Sequence, residues 1–461
     1  MAEKRYQVAV IGSGPAGIYA SDILSKSGLP VSIDIFEKLP TPYGLVRYGV
    51  APDHPFVRSI AGALYTVLQR GDIRFFGNVN VGTDITIEDI HTYYDAVIVA
   101  TGAETDAPLN IPGTHLEGVH GAADFVSWYD GHPNHPRTWN LEAENVAVIG
   151  VGNVALDITR MMMRDVDYLV EHTDIPANVE EGLRANKVQN VKIFGRRGPA
   201  QVKFSPREMG VFGKLPDVDM KVFPEEFAFD PASEEAIQGS KGVAQVVDIL
   251  KEWGERDPET FTAPKQIHLH LMQRPVEILG TTRVEGIRME RTRLSGDGNV
   301  TGTGEYVDYP VQAVYHATGY ASSPIPGLPW NEKAHVIPNE AGRIIQDGKP
   351  MPGYYATGWV KRGPVGLIGS TKSDAKETIT NLLADAEAGK LKATGAGSGA
   401  QGVLDLLASQ GKRPTTWQGW ELLDTFEKNL GSKVGRERIK VVSGEAMTAI
   451  SHGEEYTGEL I

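Results

Sequence analysis

The chain of 461 residues contains no cysteine. That excludes disulfides, thiolate metal sites, an iron–sulfur cluster held on thiolates and any Cys-x-x-Cys redox pair. No apolar run reaches membrane-spanning length, so membrane insertion is not expected. The opening MAEKRYQV leads straight into apolar sequence, without the pattern of a secretory leader. A cytoplasmic protein is therefore expected. Positive charge is also short: 45 Lys and Arg stand against 59 Asp and Glu, a net charge of −14. General nucleic-acid binding is disfavoured by that balance. Glycine, by contrast, is plentiful at 52 residues, as many tight strand-to-helix turns require. The length allows two or three domains with sizeable cores.

The most informative stretch is VAVIGSGPAGIYASDIL, Val8 to Leu24. An apolar run ending at Ile11 reads as a buried parallel strand. The turn Gly12-Ser13-Gly14-Pro15-Ala16-Gly17 follows, and then helix-compatible sequence. Strand, GxGxxG and helix in that order form a dinucleotide-binding fingerprint. Gly12 permits the tight turn, Gly14 admits a pyrophosphate to the backbone, and Gly17 lets helix and strand pack closely. The helix N-terminus offers unpaired N–H groups to phosphate. A second strand, Val31 to Phe36, ends at Glu37. A carboxylate there accepts from ribose hydroxyls and repels a 2′-phosphate, so this half suits FAD or NAD rather than NADP.

The pattern returns 138 positions later as Asn145-Val-Ala-Val-Ile-Gly150-Val151-Gly152-Asn153-Val154-Ala155. Two such units argue for two dinucleotides and electron transfer between them. Here the following strand, Val191 to Phe194, ends at Gly195-Arg196-Arg197. Guanidinium forks match a 2′-phosphate, so the second nucleotide is expected to be NADP(H).

Between and beyond these units the chain alternates strands, helices and loops. The Pro- and Gly-punctuated stretch Leu39 to Pro55, which includes His54, reads as a long structured loop lining a cofactor. Phe56 to Gln69 reads as one helix, Ile73 to Val81 as strands and Val243 to Trp253 as a helix. Glu225, Glu226, Glu234 and Glu235 are expected to be exposed. His268 and His270 would share one strand face, but without an evident third ligand they predict no metal site. Ala-Thr-Gly recurs at Thr101-Gly102 and at Gly319, where small residues let the chain run past a flat cofactor. Near Gly358 a strand and glycine-rich loop precede a helix over Ala375 to Ala386. Lys390 to Gly402 reads as a flexible linker.

Taken together, GSGPAGIYA, YGLVRYGVAPDHP, VIGVGNVALD, GRRGPAQVKF and GWVKRGPVGLIGSTKSDA resemble the adrenodoxin-reductase-type ferredoxin–NADP(+) reductases, actinobacterial members included. The resemblance runs over nearly all of residues 6 to 450. It implies an α/β protein with two Rossmann-like, glutathione-reductase-type domains: an FAD-binding segment at 1–106, an NADPH-binding domain at 107–322 and a second FAD-binding segment at 323–461. It implies FAD contacts at Ser13, Gly14, Glu37, Leu45, Val81, Trp359 and Gly366, Leu367 and Ile368. It implies NADP contacts at Val151, Gly152, Asn153, Val154, Arg196, Arg197 and Glu208. His54 and Glu208, with Asp157 a further candidate, are implied to handle protons beside the flavin. The start of the last-named helix would aim N–H donors at the flavin's pyrimidine edge, where reduction builds charge.

Two departures stand out. Ala107 occupies a position where the family often has an NADP-contacting arginine, and Val243 to Trp253 lacks the basic residues that mitochondrial members use for docking. Arg207, Lys214, Lys361 and Arg362 are the expected substitutes for docking an acidic ferredoxin. The activity implied is hydride transfer from NADPH to FAD, followed by single-electron transfer to a separate ferredoxin, since the chain cannot hold its own cluster on cysteine. The alternatives are an NADPH-dependent flavin oxidoreductase acting on a quinone, dye or oxygen, and a nucleotide-binding sensor without turnover.

Overall fold

The computed structural model describes residues 5–366, 368–391 and 399–461. Leu367 and most of the expected linker, residues 392–398, lie outside the described residues. The chain forms two compact units. The first contains residues through Thr105, Asp130–Asn134, and the chain from Tyr320 onward; the second contains Asp106–Tyr129 and His135–Gly319. The short stretch Asp130–Asn134 thus groups with the first unit and not with the rest of 107–322.

The first unit is built on a seven-stranded sheet. Its order is Asn339–Glu340, Arg343–Gln346, Lys349–Ala356, Ala96–Val99, Tyr6–Ile11, Val31–Phe36 and Ile73–Phe76. The last five are parallel to one another, and the first two add antiparallel pairings. Val8 and Val10 enter one core, with Ile18, Ile33 and Ile35; Ala9 and Ile11 enter another, with Phe36, Val97 and Val99. Both faces are covered, which is why these strands read as continuous apolar runs without alternation. The helix Pro15–Ser25 packs against Ile368–Glu387. Pro15 suits the first helical turn because its missing N–H has no partner to lose.

The second unit has a six-stranded parallel sheet. Its order is Val119–Gly121, Ala313–His316, Asn145–Ile149, Asn190–Phe194, Lys265–His270 and Val218–Val222. A three-stranded antiparallel sheet, Gln273–Leu279, Gly286–Leu294 and Val300–Tyr309, completes it. The helix Asn153–Met163 buries nearly its whole length after the first turn, Arg160 included.

Several local expectations are corrected. The helix expected over Phe56 to Gln69 is two pieces, Pro55–Arg58 and Ile60–Leu68. Ser59 interrupts it, its hydroxyl donating to the Phe56 carbonyl at 2.6 Å. The strand from Ile73 stops at Phe76, and Asn78 turns the chain with φ +60°. The helix expected from Ala375 begins already at Ile368. The end of the expected linker is helical, because Ala400–Ser409 takes in Gln401 and Gly402. Glu226, expected at the surface, is buried. It accepts hydrogen bonds from Leu271 N at 2.9 Å and Gln273 Nε2 at 2.7 Å, and it faces His270. His270 also stacks on Phe194 and Phe223.

A buried ionic lattice ties the long loop of the first unit to its C-terminal helices. Arg47 Nη2 meets Glu427 Oε1 at 2.5 Å, with both side chains nearly inaccessible. Arg438 bridges Glu427 at 3.1 Å and Asp424 at 2.7 Å. Lys440, also buried, donates to the carbonyls of Arg47 and Asp130 at 3.0 and 2.9 Å. Arg58 pairs with Asp130. Removing one partner from such a lattice leaves an uncompensated buried charge. Glu427→Gln is expected to destabilise the first unit by about 3 kcal/mol, read as a lower urea midpoint; a midpoint equal to wild type would show that the lattice contributes nothing net.

Asp106 carries a pH signature in the second unit. Burial pushes its carboxyl up to about 6, against hydrogen bonds from the Ala123 amide. A raised folded-state pKa means its contribution is fully present below the unfolded value near 4 and is lost as pH rises through about 6. The stability difference between wild type and Asp106→Asn is therefore expected to move against wild type between pH 4 and 6. A difference that stays flat across this window would refute the burial effect.

Candidate functional site

The turn after Tyr6–Ile11 closes by backbone approach alone. Gly12 has φ +105°, and a Cβ there would lie 2.5 Å from the Ala100 carbonyl oxygen. A Cβ on Gly17 would lie 2.0 Å from the Gly12 carbonyl oxygen. Around Gly14, in contrast, nothing lies within 4 Å of such an atom. Gly14 is the N-cap, and no side chain caps the helix. The first-turn N–H groups are therefore left to an anion. Glu37 stands at the end of the adjacent strand, buried. Its Oε2 accepts from Ser13 N and Oγ at 3.0 and 2.8 Å, and its Oε1 accepts from Leu39 N at 3.1 Å. Desolvation pushes its carboxyl above the usual range, opposed by these bonds. A carboxylate has about four acceptor positions, so capacity remains for a hydroxyl.

The long loop comes over this turn. Tyr43 N donates to Ser13 O at 3.0 Å, and a Cβ on Gly44 would lie 3.2 Å from Gly14 Cα. Leu45 opens the short helix Leu45–Tyr48, directly after Gly44. His54 is the N-cap of Pro55–Arg58 and is half-buried. Val81 is buried and bridges Ile85. Trp359 is half-buried and stacks on Tyr320 with ring centroids 6.0 Å apart. Gly358 has φ +75°, and a Cβ there would meet Ala16 Cβ at 2.6 Å. Ala16 is therefore packed against the strand that ends in Ala-Thr-Gly.

Beyond Trp359, Asp374 organises the glycine-rich loop. It accepts from Thr357 Oγ1 at 3.2 Å and from Gly358 N, and it pairs with Lys361 at 2.9 Å. Lys361 is thereby buried, with Glu377 as a second partner at 2.5 Å. This corrects its expected place in a docking surface: its charge is consumed inside the unit. Arg362 keeps Nε and Nη2 buried without hydrogen-bond partners among the described residues. Gly366 has φ +89°, and a Cβ there would lie 2.4 Å from Ser370 Oγ, with Arg362 Nη1 next at 3.3 Å. Arg362 Nε lies 3.9 Å from Asp374 Oδ1, so the charge is partnered while the buried donors keep hydrogen-bonding capacity for a polar ligand edge. Ile368 starts the following helix, and Leu367 lies outside the described residues.

The second unit repeats the device. Gly150 has φ +135°, and a Cβ there would lie 2.3 Å from the Ala317 carbonyl oxygen. Gly152 is the N-cap of Asn153–Met163, again without a side-chain cap and with open space around it. Val151, Gly152, Asn153 and Val154 are all partly exposed at this turn. Gly195 ends the neighbouring strand, and a Cβ there would touch Val151 Cγ1 at 2.7 Å. Arg196 is exposed and Arg197 half-buried. Burial and the Arg196 charge lower the Arg197 pKa. Two adjacent cations that disfavour one another fit a polyanion. Glu208 is buried in Pro206–Phe212, with Arg160 Nη1 3.5 Å away; Arg160 Nη2 also bonds Asp157 at 2.8 Å. Ala107 donates its N–H to Gly319 O at 2.9 Å. Arg207 and Lys214 are exposed.

Each unit thus carries a bare helix N-terminus behind a glycine turn, with opposite charge at the end of the next strand. The family model described as pyridine nucleotide-disulphide oxidoreductase matches residues 6–185. NADPH-ferredoxin reductase FprA of Mycobacterium tuberculosis is 37% identical, covering 97% of this chain and 99% of that protein. The mitochondrial NADPH:adrenodoxin oxidoreductase of Homo sapiens is 36% identical, covering 96% of this chain and 92% of its own. This chain belongs to the adrenodoxin reductase–FprA family. The structure of Mycobacterium tuberculosis FprA in complex with NADPH superposes with a TM-score of 0.87 at 36% identity, covering 97% of this chain and all of that one.

Within the family frame, sequence reasoning missed Asp374, Arg160 and the lattice around Arg47. Asp374 and Arg160 were visible only as helix residues, and the partners of Arg47 lie almost 400 positions away. The glycine approach yields a direct test. A methyl at Gly17 would collide with the Gly12 carbonyl, so Gly17→Ala is expected to purify with far less flavin than wild type. Flavin absorbance after desalting reads this; full occupancy would show that helix and strand can separate without loss.

Proposed function

We propose that this chain is an NADPH–ferredoxin reductase, holding FAD in its first unit and NADPH in its second. The observation that carries this is the opposed pair of charges behind two matching turns, Glu37 in one and Arg196–Arg197 in the other. Family membership over nearly the full chain supports it. The missing cysteines remove the thiol chemistry that the broader family name suggests, leaving a separate one-electron carrier as acceptor. Ferredoxin is that carrier. Among the described residues no helix is long and apolar enough to cross a membrane. The lack of cysteine fits a reducing cytoplasm.

When bound, the two cofactors supply hydride exchange and the conversion of an electron pair into single electrons. The chain's own residues bind and orient. The Gly12–Gly17 turn offers N–H groups to the FAD pyrophosphate, and Glu37 fixes the adenosine ribose. Leu45, Val81 and Trp359 supply apolar walls. Asp374 holds the Thr357–Gly358 turn in place, so Trp359 and Gly366 are presented on a fixed scaffold. Arg196 and Arg197 select the 2′-phosphate. Arg160 orients Glu208, which with His54 serves proton handling. Arg207 and Lys214, both exposed, remain candidates for meeting an acidic ferredoxin.

The test is cytochrome c reduction by NADPH and NADH, each with and without added ferredoxin. Strong ferredoxin stimulation with NADPH preferred is expected; flavin reduction without stimulation would reject ferredoxin as the acceptor. Replacing Arg196 and Arg197 together by Gln is expected to cut the NADPH-over-NADH preference by about two orders of magnitude, on the scale of two lost charge-assisted contacts. An unchanged ratio would refute their role.

A further inference from the structure

We propose that Lys203 is a further phosphate-recognising residue of the second nucleotide turn, directed at the pyrophosphate of the pyridine nucleotide. This rests on reading that turn as the NADPH site. The segment Val202 to Ser205 runs alongside the turn and is tied to it at three consecutive residues. Lys203 N donates to Val151 O at 2.7 Å. Gly152 and Lys203 pair as an isolated parallel bridge. Ser205 N donates to Asn153 Oδ1 at 3.0 Å. The register of Lys203 against the Gly152 turn is therefore fixed by backbone, not by a mobile surface contact.

The side chains of this segment alternate. Val202 and Phe204 are buried, and Lys203 between them is exposed. Extended backbone thus turns the Lys203 stem away from the core. Among the described residues no carboxylate pairs with its ammonium group. The helix beside it has no acid in its first turn and no side-chain cap. Around Gly152 there is open space where a Cβ would stand. A cation carried on backbone paired to Gly152, beside a helix N-terminus without a side-chain cap, complements a diphosphate, and a flexible ammonium reaches it as a point charge. Arg196 and Arg197 lie at the end of the neighbouring strand, a separate position suited to the 2′-phosphate. The division of labour is the Arg pair for the 2′-phosphate and Lys203 for the pyrophosphate.

NADP+ and NAD+ share the pyrophosphate but differ in the 2′-phosphate, so they separate these roles. Their dissociation constants would be measured by calorimetry on oxidised, flavin-loaded protein, at two salt concentrations. The variants are Lys203→Gln, Lys203→Arg and the Arg196→Gln/Arg197→Gln pair. Lys203→Gln is expected to weaken both nucleotides by roughly five- to tenfold and to flatten the salt dependence, with Lys203→Arg restoring most of the loss. Unchanged affinity for both nucleotides overturns the proposal, and so does a loss confined to NADP+. If the arginine pair still controls NADP+ binding in either case, the reading of the site survives. If wild type shows no preference for NADP+ over NAD+, that reading itself fails. Flavin content and the flavin spectrum, equal to wild type, verify that the exposed substitution leaves the fold intact.

Discussion

Close approach leaves no room for a side chain at the two nucleotide turns and at the strand end beside the first of them. Gly12 faces the Ala100 carbonyl, Gly150 faces the Ala317 carbonyl, and Gly358 faces Ala16. Each contact involves an Ala-Thr-Gly strand end, at Ala100, Ala317 or Ala356. The turn and the neighbouring strand end are therefore one device, with small residues required on both sides. The helix behind the turn is drawn close, its first N–H groups are left without a cap, and an anion becomes their natural partner. Everything else in the two sites is arranged around that closeness.

Charge then gives the two copies different tasks. Glu37 is desolvated and already held by three donors, so it is a fixed acceptor with limited spare capacity. Arg197 is shifted the other way, its pKa lowered by burial and by the neighbouring Arg196 charge. One scaffold thus presents a buried carboxylate in one unit and a pair of guanidinium groups in the other. The first unit adds a second layer of order. Arg47, Glu427, Arg438 and Lys440 fasten the loop bearing Leu45 to the C-terminal helices, and Asp374 fastens the turn bearing Trp359. Acids and bases from other segments thus hold both the loop and the turn in place.

Much of this was legible in the order of residues, for local reasons. Strand, glycine turn, helix and strand-end charge lie within about 30 positions in the first unit and about 50 in the second, so their meaning does not depend on the rest of the chain. The doubled pattern announced two nucleotides, and the lack of cysteine removed thiol chemistry. Helix ends were less legible. Ser59 breaks one helix by bonding its own backbone, and Ile368–Glu387 starts earlier than its apolar spacing suggests.

Burial of charged residues was not legible at all. Glu226 and Lys361 look like surface residues in sequence, and both are buried because distant donors and acceptors meet them there. A charge enters a core only when a partner arrives with it, and the partner's identity is a property of folded distances. The sequence by itself determined the two glycine turns, the opposite charges at their strand ends and the exclusion of a thiol mechanism, because these follow from residue types at short, fixed spacings. The tertiary structure alone decided which charges are inside, which acid holds the loop before Gly366, and that Lys203 lies beside Gly152. Those depend on folded distances between side chains and backbone, which no local pattern records.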